Sequence, residues 1–271
     1  MKVSELAALP PKLLIYSRAG LGKSALAMTL GEDCLYHDLD DNMEVAFGLR
    51  DQFFTDRQCV EVKQFLDDDP KRPTAFKRFK AGVYSVSDQI RKGDFEYKYY
   101  VVDSLTSIAM AAQHMVMANN SKAGENPQIQ HWGVILNEIL NIITTIRALP
   151  ICVLVLAHEM IYTSEDQNVV QLAISGQKLP GQITRLFNEI WYLRAKPGSG
   201  NSQDLYIQSV PSSSVTCRSG RGLPTGTRFA TITKEGQPKD SVGMKTLLDR
   251  IQRKDKKEAT PSVVSKVEIT K

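Results

Sequence analysis

This sequence has few of the features that mark export, metal binding or membrane insertion. Only four of its 271 residues are cysteine and four are histidine, and no Cys-x-x-Cys pair occurs. That scarcity excludes a disulfide framework and a zinc site built on closely spaced cysteines. The longest apolar run, Ile151 to Ala157, is far below the roughly 18 residues that a transmembrane helix needs. We therefore expect a cytoplasmic protein with reduced thiols and no membrane partner.

A strong net charge is also missing, because 34 Lys and Arg against 30 Asp and Glu leave only +4. So small a charge makes no strong field around a protein of this size. Clusters of basic residues nevertheless occur in two stretches, at 71–80 and at 250–257. Two interpretations stay open for them: a solvated helix face with a solubilising tail, or contact with nucleic-acid phosphates.

What the sequence does contain is an alternation of apolar strands and amphipathic helices. The predicted strands nearest to the motifs described below lie at 12–16, 34–37, 99–102 and 151–156. This alternation predicts an α/β fold with a mostly parallel central sheet flanked by helices. A polar stretch at 159–180 is predicted as a loop. We expect one core at residues 1–233 and a flexible, partly disordered C-terminal extension at 234–271.

A glycine-rich segment joins the first predicted strand to the first predicted helix. In such a segment glycines let backbone N–H groups converge on an anion, and the start of the helix adds its positive dipole end. Lys23 then reaches the β and γ phosphates, and Ser24 binds Mg²⁺. The first glycine of the P-loop consensus is replaced by Ser17. The residues predicted to bind the phosphates of ATP are Ser17, Arg18, Ala19, Gly20, Leu21, Gly22, Lys23, Ser24 and Ala25.

A second motif is the apolar strand at 99–102, which ends in Asp103. Open α/β sheets bind their ligands at the carboxyl ends of the strands, so this carboxylate is well placed to hold Mg²⁺ through water. Ser24 and Asp103 are therefore the predicted metal residues.

Hydrolysis also needs a group that orients or deprotonates the attacking water. No glutamate follows Asp103, where Ser104 stands instead, so Asp40 or Asp38 is the candidate general base. An ordinary solvated turn is the alternative for these two aspartates. His158 directly follows the central strand and is predicted to sense the γ-phosphate and move the next segment. A purely structural histidine is the alternative there.

Together these residues resemble the RecA-like class of P-loop ATPases. Val101 to Ser107 is similar to its Walker B segment, and Cys34 to Asp41 is similar to the strand that carries its catalytic carboxylate. By that match the carboxylate falls on Asp40, where the family usually has glutamate. The order of P-loop, Asp-Ser-Leu-Thr, Trp-Gly, Ala-His-Glu and Arg-Ser-Gly also resembles the phage-encoded nucleotide-binding proteins of the AAA-domain type. Some of those are single-strand annealing recombinases.

The resemblance implies a RecA-like fold and an ATP- and Mg²⁺-dependent enzyme that assembles with copies of itself, as a ring or filament, on single-stranded DNA. Such a protein supports annealing or strand exchange in phage recombination, repair or replication, in the cytoplasm of the host. Segments 119–130 and 159–182 would face the DNA. Arg218 would reach a neighbouring subunit's γ-phosphate as an arginine finger, with contact to DNA or solvent as the alternatives.

Two other functions stay open. The first is a nucleotide-dependent switch or loader that acts on a replication partner such as a helicase or primase. The short Asp40 and the serine after Asp103 favour slow turnover and so favour this reading. The second is a small-molecule or nucleotide kinase, which needs an arginine-rich lid; the segment 218–228 has arginines but lies after the core strands.

Overall fold

The computed structural model describes residues 9–30, 33–42, 44, 60–69, 71–164, 167–176, 178–197, 203–229 and 242–257. The strands in this part of the chain are β1 (Lys12–Ser17), β2 (Cys34–Asp38), β3 (Val60–Gln64), β4 (Tyr99–Asp103), β5 (Cys152–Ser164), β6 (Gln167–Leu172), β7 (Glu189–Pro197), β8 (Gln203–Gln208), β9 (Arg218–Ser219) and β10 (Thr227–Arg228). The helices are α1 (Lys23–Met28), α2 (Ala75–Lys92), α3 (Leu105–Asn119), α4 (Ile129–Ala148), α5 (Leu179–Thr184) and α6 (Met244–Lys257). Within these residues, no helix combines the length and the apolar character that crossing a membrane requires.

The central sheet has the strand order β10-β8-β7-β1-β5-β4-β2-β3. From β7 to β3 the neighbours are parallel, whereas β8, β9 and β10 are added antiparallel. The predicted α/β fold with a mostly parallel sheet is thereby confirmed. Since β1, β5, β4 and β2 are adjacent and parallel, their carboxyl ends meet at one edge, and the residues that follow them can share a site.

Both faces of the sheet are covered, which is why its inner strands β1, β4 and β5 contain long apolar runs. Alternate residues of β1 show the two layers. Leu14 and Tyr16 pack in a core with α2, α3 and α4, whereas Leu13 and Ile15 pack in a second core with α1 and α6. The segment that follows β1 is therefore held by a strand that is anchored on both sides.

Helix α6 belongs to this second core. Its buried side chains are Met244, Leu247, Leu248 and Ile251, and the backbone N–H of Met244 donates to Oγ1 of Thr29 at 2.7 Å. The predicted boundary at residue 233 lies outside the described residues, as do the basic side chains from 253 onward. The helix after that boundary nevertheless supports α1, the helix that Lys23 begins.

The segment at 159–180 is not the loop that its polarity predicted. Strand β5 continues to Ser164 and pairs with β6, in a register that runs from Glu159 opposite Leu172 to Ser164 opposite Gln167. We call this pair, 159–164 with 167–172, the β5–β6 ribbon. Its β-branched and aromatic residues explain the strand conformation, and its polar residues are tolerated because much of the ribbon is exposed. The loop prediction rested on the polarity of this stretch.

Edge strand β3 was also not predicted. Its five residues, Val60–Gln64, contain only two apolar side chains, and it pairs with β2 alone within the sheet order given above. A short alternating segment gives a weak signal on its own. It becomes a strand because β2 presents an open edge of backbone hydrogen-bonding groups.

Among the described residues, Cys34, Cys152 and Cys217 are free and buried thiols. Burial raises the pKa of Cys152 to about 12 and that of Cys217 to about 11, which keeps both protonated and unreactive. Cys59 lies outside the described residues.

Candidate active site

The glycine-rich segment between β1 and α1 adopts a backbone that explains its glycines. Gly20 has φ 78° and Gly22 has φ 77°, both in the left-handed region that side chains disfavour. Leu26 donates its N–H to the carbonyl of Gly22 at 2.8 Å, which ties the segment to the first turn of α1. The chain therefore curls at the carboxyl end of β1, as the P-loop motif predicted.

Lys23 lies inside this curl with only 5% of its surface exposed. Its ammonium group donates to the carbonyls of Ser17 at 3.3 Å and Arg18 at 3.1 Å. Burial lowers the pKa of Lys23, while the nearby carboxylates Asp103, Asp40 and Glu159 act in the opposite direction. The loop thus holds a cation in a poorly solvated position, where attraction to a phosphate is strong.

Asp103 is also buried, with 1% of its surface exposed. Its Oδ2 accepts a hydrogen bond from Oγ of Ser24 at 2.5 Å and another from the hydroxyl of Tyr36. Its Oδ1 is buried and has no hydrogen-bond partner among the described residues. Burial raises the pKa of Asp103 to about 6, although both hydrogen bonds oppose that shift.

Ser24 and Asp103 fit a magnesium ion. Ser24 gives its hydroxyl proton to Asp103, so the lone pairs of its oxygen remain available to a cation. The unpartnered Oδ1 of Asp103 is an acceptor for the water of a hydrated ion, and a buried acceptor of this kind needs a partner. Mg²⁺ keeps several waters and is commonly bound by one or two protein oxygens together with substrate phosphates.

His158 connects Lys23 to Asp40. Its Nδ1 lies 3.3 Å from Nζ of Lys23, and its Nε2 lies 2.9 Å from Oδ2 of Asp40. An ammonium group can only donate, so Nδ1 is the acceptor, and Nε2 carries the proton and donates to Asp40. The backbone N–H of His158 donates to Oγ1 of Thr106 at 3.0 Å, which fixes the residue beside β4.

Asp40 is held by three donors. Besides His158, it accepts from Oγ of Ser104 at 2.9 Å and from Oγ of Ser107. Burial by itself would raise the pKa of Asp40, but the hydrogen bonds from His158, Ser107 and Ser104 together outweigh burial and lower it. Asp40 is therefore ionised at neutral pH and fixed in orientation.

Asp38, the other candidate base, is placed differently. Its Oδ1 accepts from the backbone N–H of Asp40 at 3.0 Å, and its Oδ2 accepts from Nε2 of Gln64 at 3.1 Å. Asp38 is fully buried. Its contacts shape the turn that carries Asp40, and of the two aspartates Asp40 is the one hydrogen-bonded to His158. Which of them acts as a base stays a prediction.

Arg218 makes local contacts. Its Nε donates to the carbonyl of Phe187 at 3.0 Å, and its Nη2 donates to the same carbonyl at 2.6 Å and to the carbonyl of Thr184. Thr184 is the last residue of α5, so Arg218 satisfies carbonyls at the end of that helix. Its action in a neighbouring subunit stays a prediction, and it would require these bonds to be exchanged.

Several residues at this site were not predicted from the sequence. Thr106 and Ser107 belong to the polar run after β4, which was a usable signal. Tyr36 is hidden in the apolar strand β2 and reaches Asp103 only because β2 pairs with β4. Glu159, next to His158, has a buried Oε2 without a hydrogen-bond partner in the described part of the chain.

Comparison with known families matches residues 9–229 to the family model described as AAA domain. A comparison with curated proteins gives no match. Two solved structures are similar at a TM-score of 0.40 each. One, a KaiC-like protein of the hyperthermophilic archaeon Pyrococcus horikoshii, is 12% identical over 74% of this chain and 79% of its own. The other, the flagellar accessory protein FlaH of Methanocaldococcus jannaschii, is 8% identical over 76% and 82%.

Proposed function

The chain belongs to the AAA domain family, and we propose that it binds ATP with Mg²⁺ and hydrolyses it. The observation that carries this proposal is the meeting of three groups at the carboxyl ends of adjacent strands. They are the ammonium of Lys23, the pair Ser24 and Asp103, and the hydrogen-bonded pair His158 and Asp40. Hydrolysis of ATP needs a cation that binds the phosphates, residues that hold the metal ion, and a group that orients the attacking water.

Each side chain has a separate task in this reaction. Lys23 exchanges its contact with His158 for the terminal phosphates, whose charge it offsets. Ser24 and Asp103 hold the magnesium ion, which, when bound, neutralises charge on the β and γ phosphates. Asp40, ionised and fixed by its three donors, accepts a hydrogen bond from the attacking water and orients it. Loss of the Lys23 contact leaves Nδ1 of His158 without a donor, and Nδ1 must carry a proton before it can donate to the phosphate.

We further propose that single-stranded DNA is the partner and that annealing or strand exchange in phage recombination, repair or replication is the purpose. The resemblance of the motif order supports this finer function. So does the β5–β6 ribbon, which begins at the residue after His158 and exposes 40% of the Tyr162 surface, where a base can stack. In the basic stretch at 71–80, Lys71, Arg72 and Lys77 are exposed, whereas Lys80 pairs with Glu138 at 2.7 Å.

The test is the ATPase rate with and without single-stranded DNA at low salt. We expect DNA to raise the ATPase rate. Lys23→Ala should abolish hydrolysis, because this variant lacks the cation that binds the phosphates. The matched control is Lys92→Ala, which removes the lysine at the last position of α2 and should behave as wild type. Hydrolysis that persists in Lys23→Ala would contradict the enzyme assignment. A rate and a gel mobility that DNA leaves unchanged would contradict the DNA assignment alone. Mass measured in ATP and in ADP tests the proposed ring or filament of identical subunits.

A nucleotide-dependent switch that acts on a replication partner is the second candidate. It is favoured by the three hydrogen bonds that Asp40 already accepts, which lower its pKa and make it a weak base. This function predicts tight ATP binding, very slow turnover and a partner captured in ATP but not in ADP. Fast turnover stimulated by DNA would exclude it.

A further inference from the structure

Tyr36 lies directly behind the predicted metal site. It is on β2, opposite Val101 of β4, and its hydroxyl donates to Oδ2 of Asp103. The side chain is fully buried, in the core that includes Ala25 and Leu26 of α1. A tyrosine hydroxyl is protonated at neutral pH and therefore donates to the carboxylate.

The two donors to Asp103 differ in what a metal does to them. Ser24 is itself a predicted metal residue, so its hydroxyl would have to serve the ion as well as Asp103. Tyr36 is held by its packing, and its hydroxyl reaches Oδ2 from the side of the protein core. It can therefore keep Asp103 in one orientation whether or not Ser24 is engaged. That orientation leaves the buried Oδ1, which lacks a partner among the described residues, for the metal's water.

We propose that Tyr36 is a positioning residue of the metal site: its hydroxyl holds the Asp103 carboxylate so that Oδ1 faces the magnesium ion of the bound nucleotide. This inference rests on the proposed function, since it needs a nucleotide with its metal. Tyr36 touches neither the phosphates nor the ion in this arrangement and acts only through Asp103. Partners that orient a metal ligand in this way commonly contribute about 10- to 100-fold to metal affinity.

The experiment compares Tyr36→Phe with wild type in metal binding rather than in turnover. Mn²⁺ is the probe, and free Mn²⁺ is followed by electron paramagnetic resonance in the presence of the non-hydrolysable analogue AMPPNP, with a titration without protein as the baseline. We expect Tyr36→Phe to weaken Mn²⁺ binding by the protein–nucleotide complex at least about tenfold. AMPPNP binding in EDTA, measured by calorimetry, should stay at the wild-type level, because Lys23 and the loop are unchanged.

Tyr100→Phe is the matched control. Tyr100 is a fully buried tyrosine of β4 whose hydroxyl lies 2.7 Å from Nδ1 of His37, so the same atom is removed away from the metal site. Its Mn²⁺ affinity should equal that of wild type. A purely structural role for Tyr36 would lower the stability of Tyr36→Phe but leave its Mn²⁺ affinity intact, and that result would overturn the proposal.

The outcomes also separate this inference from the proposed function. If wild type itself shows no metal-dependent binding of AMPPNP, the proposed function fails. If wild type binds and Tyr36→Phe binds Mn²⁺ equally well, only the role of Tyr36 fails. Should the phenylalanine variant not fold, Tyr36→Met, which also lacks the hydroxyl, serves for the same measurement.

Discussion

The buried carboxyl of Asp103 makes a prediction about stability in the absence of nucleotide. Its pKa is about 6 in the folded protein, because burial disfavours the charged form, against 3.8 for an exposed aspartate. A carboxyl whose pKa is raised by folding stabilises the fold where it is protonated, below both values. That contribution is lost as the pH rises through 6. The variant Asp103→Asn has no ionisable group at this position and keeps nearly the same side-chain shape.

The magnitude follows from these two pKa values. At pH 8 Asp103 is ionised in the folded and unfolded states and contributes nothing to the pH dependence. At pH 5 the folded state is mostly protonated while the unfolded state is ionised, which linkage converts to about 1 kcal/mol in favour of folding. The asparagine variant lacks this increment. Because Asn carries no charge to bury, we expect Asp103→Asn to be more stable than wild type at pH 8, and its advantage to shrink by about 1 kcal/mol at pH 5.

The assay is urea unfolding of both proteins without nucleotide or metal at pH 5 and pH 8. Titrating groups distant from Asp103 affect both proteins alike, so the difference between them reports on Asp103 and the charges it faces, Lys23 and Asp40. A difference that is the same at both pH values would show that folding does not raise the pKa of Asp103. Loss of Mg²⁺-dependent nucleotide binding by the more stable variant would indicate that function, not stability, retains the carboxylate here.

Further predictions concern the catalytic network and its support. Asp40→Asn should reduce ATP turnover about 100-fold or more without weakening nucleotide binding, whereas Asp38→Asn should reduce it much less, in steady-state kinetics; equal losses would place the base elsewhere. His158→Ala should lower kcat about tenfold with little change in KM, because Asp40 loses the donor that orients it. Glu189→Ala should cost about 3 kcal/mol of stability in urea unfolding, because the buried carboxylate accepts from the Trp191 indole and two further donors. A cost below about 1 kcal/mol would show that water replaces those acceptors.

Local motifs were the most predictable part of the molecule. The P-loop could be found because glycines, lysine and serine are contiguous and their spacing alone sets the geometry. The strand ending at Asp103 could be found because apolar runs followed by a carboxylate are typical of this sheet edge. Neither prediction required knowledge of which strands are neighbours.

Pairwise contacts across strands were the least predictable part. The residue pattern left Asp38 and Asp40 both open, although the resemblance pointed to Asp40. The turn after β2 gives them different contacts, since Asp38 accepts a hydrogen bond from Gln64 of β3 while Asp40 accepts one from His158. The β5–β6 ribbon was missed for a related reason. A polar strand is stable only when another strand pairs with it, and composition does not reveal that partner.

The sequence by itself determined the α/β class and predicted the glycine-rich loop after β1 with Lys23 as its cation, because these depend on residues close together in the chain. The tertiary structure decided how distant residues act together: it placed β5 between β1 and β4, and so brought His158 against Lys23 and Asp40. It also placed the hydroxyl of Tyr36 on Asp103. Such contacts join side chains far apart in the chain, and their geometry is set by strand order and packing, which no local pattern encodes.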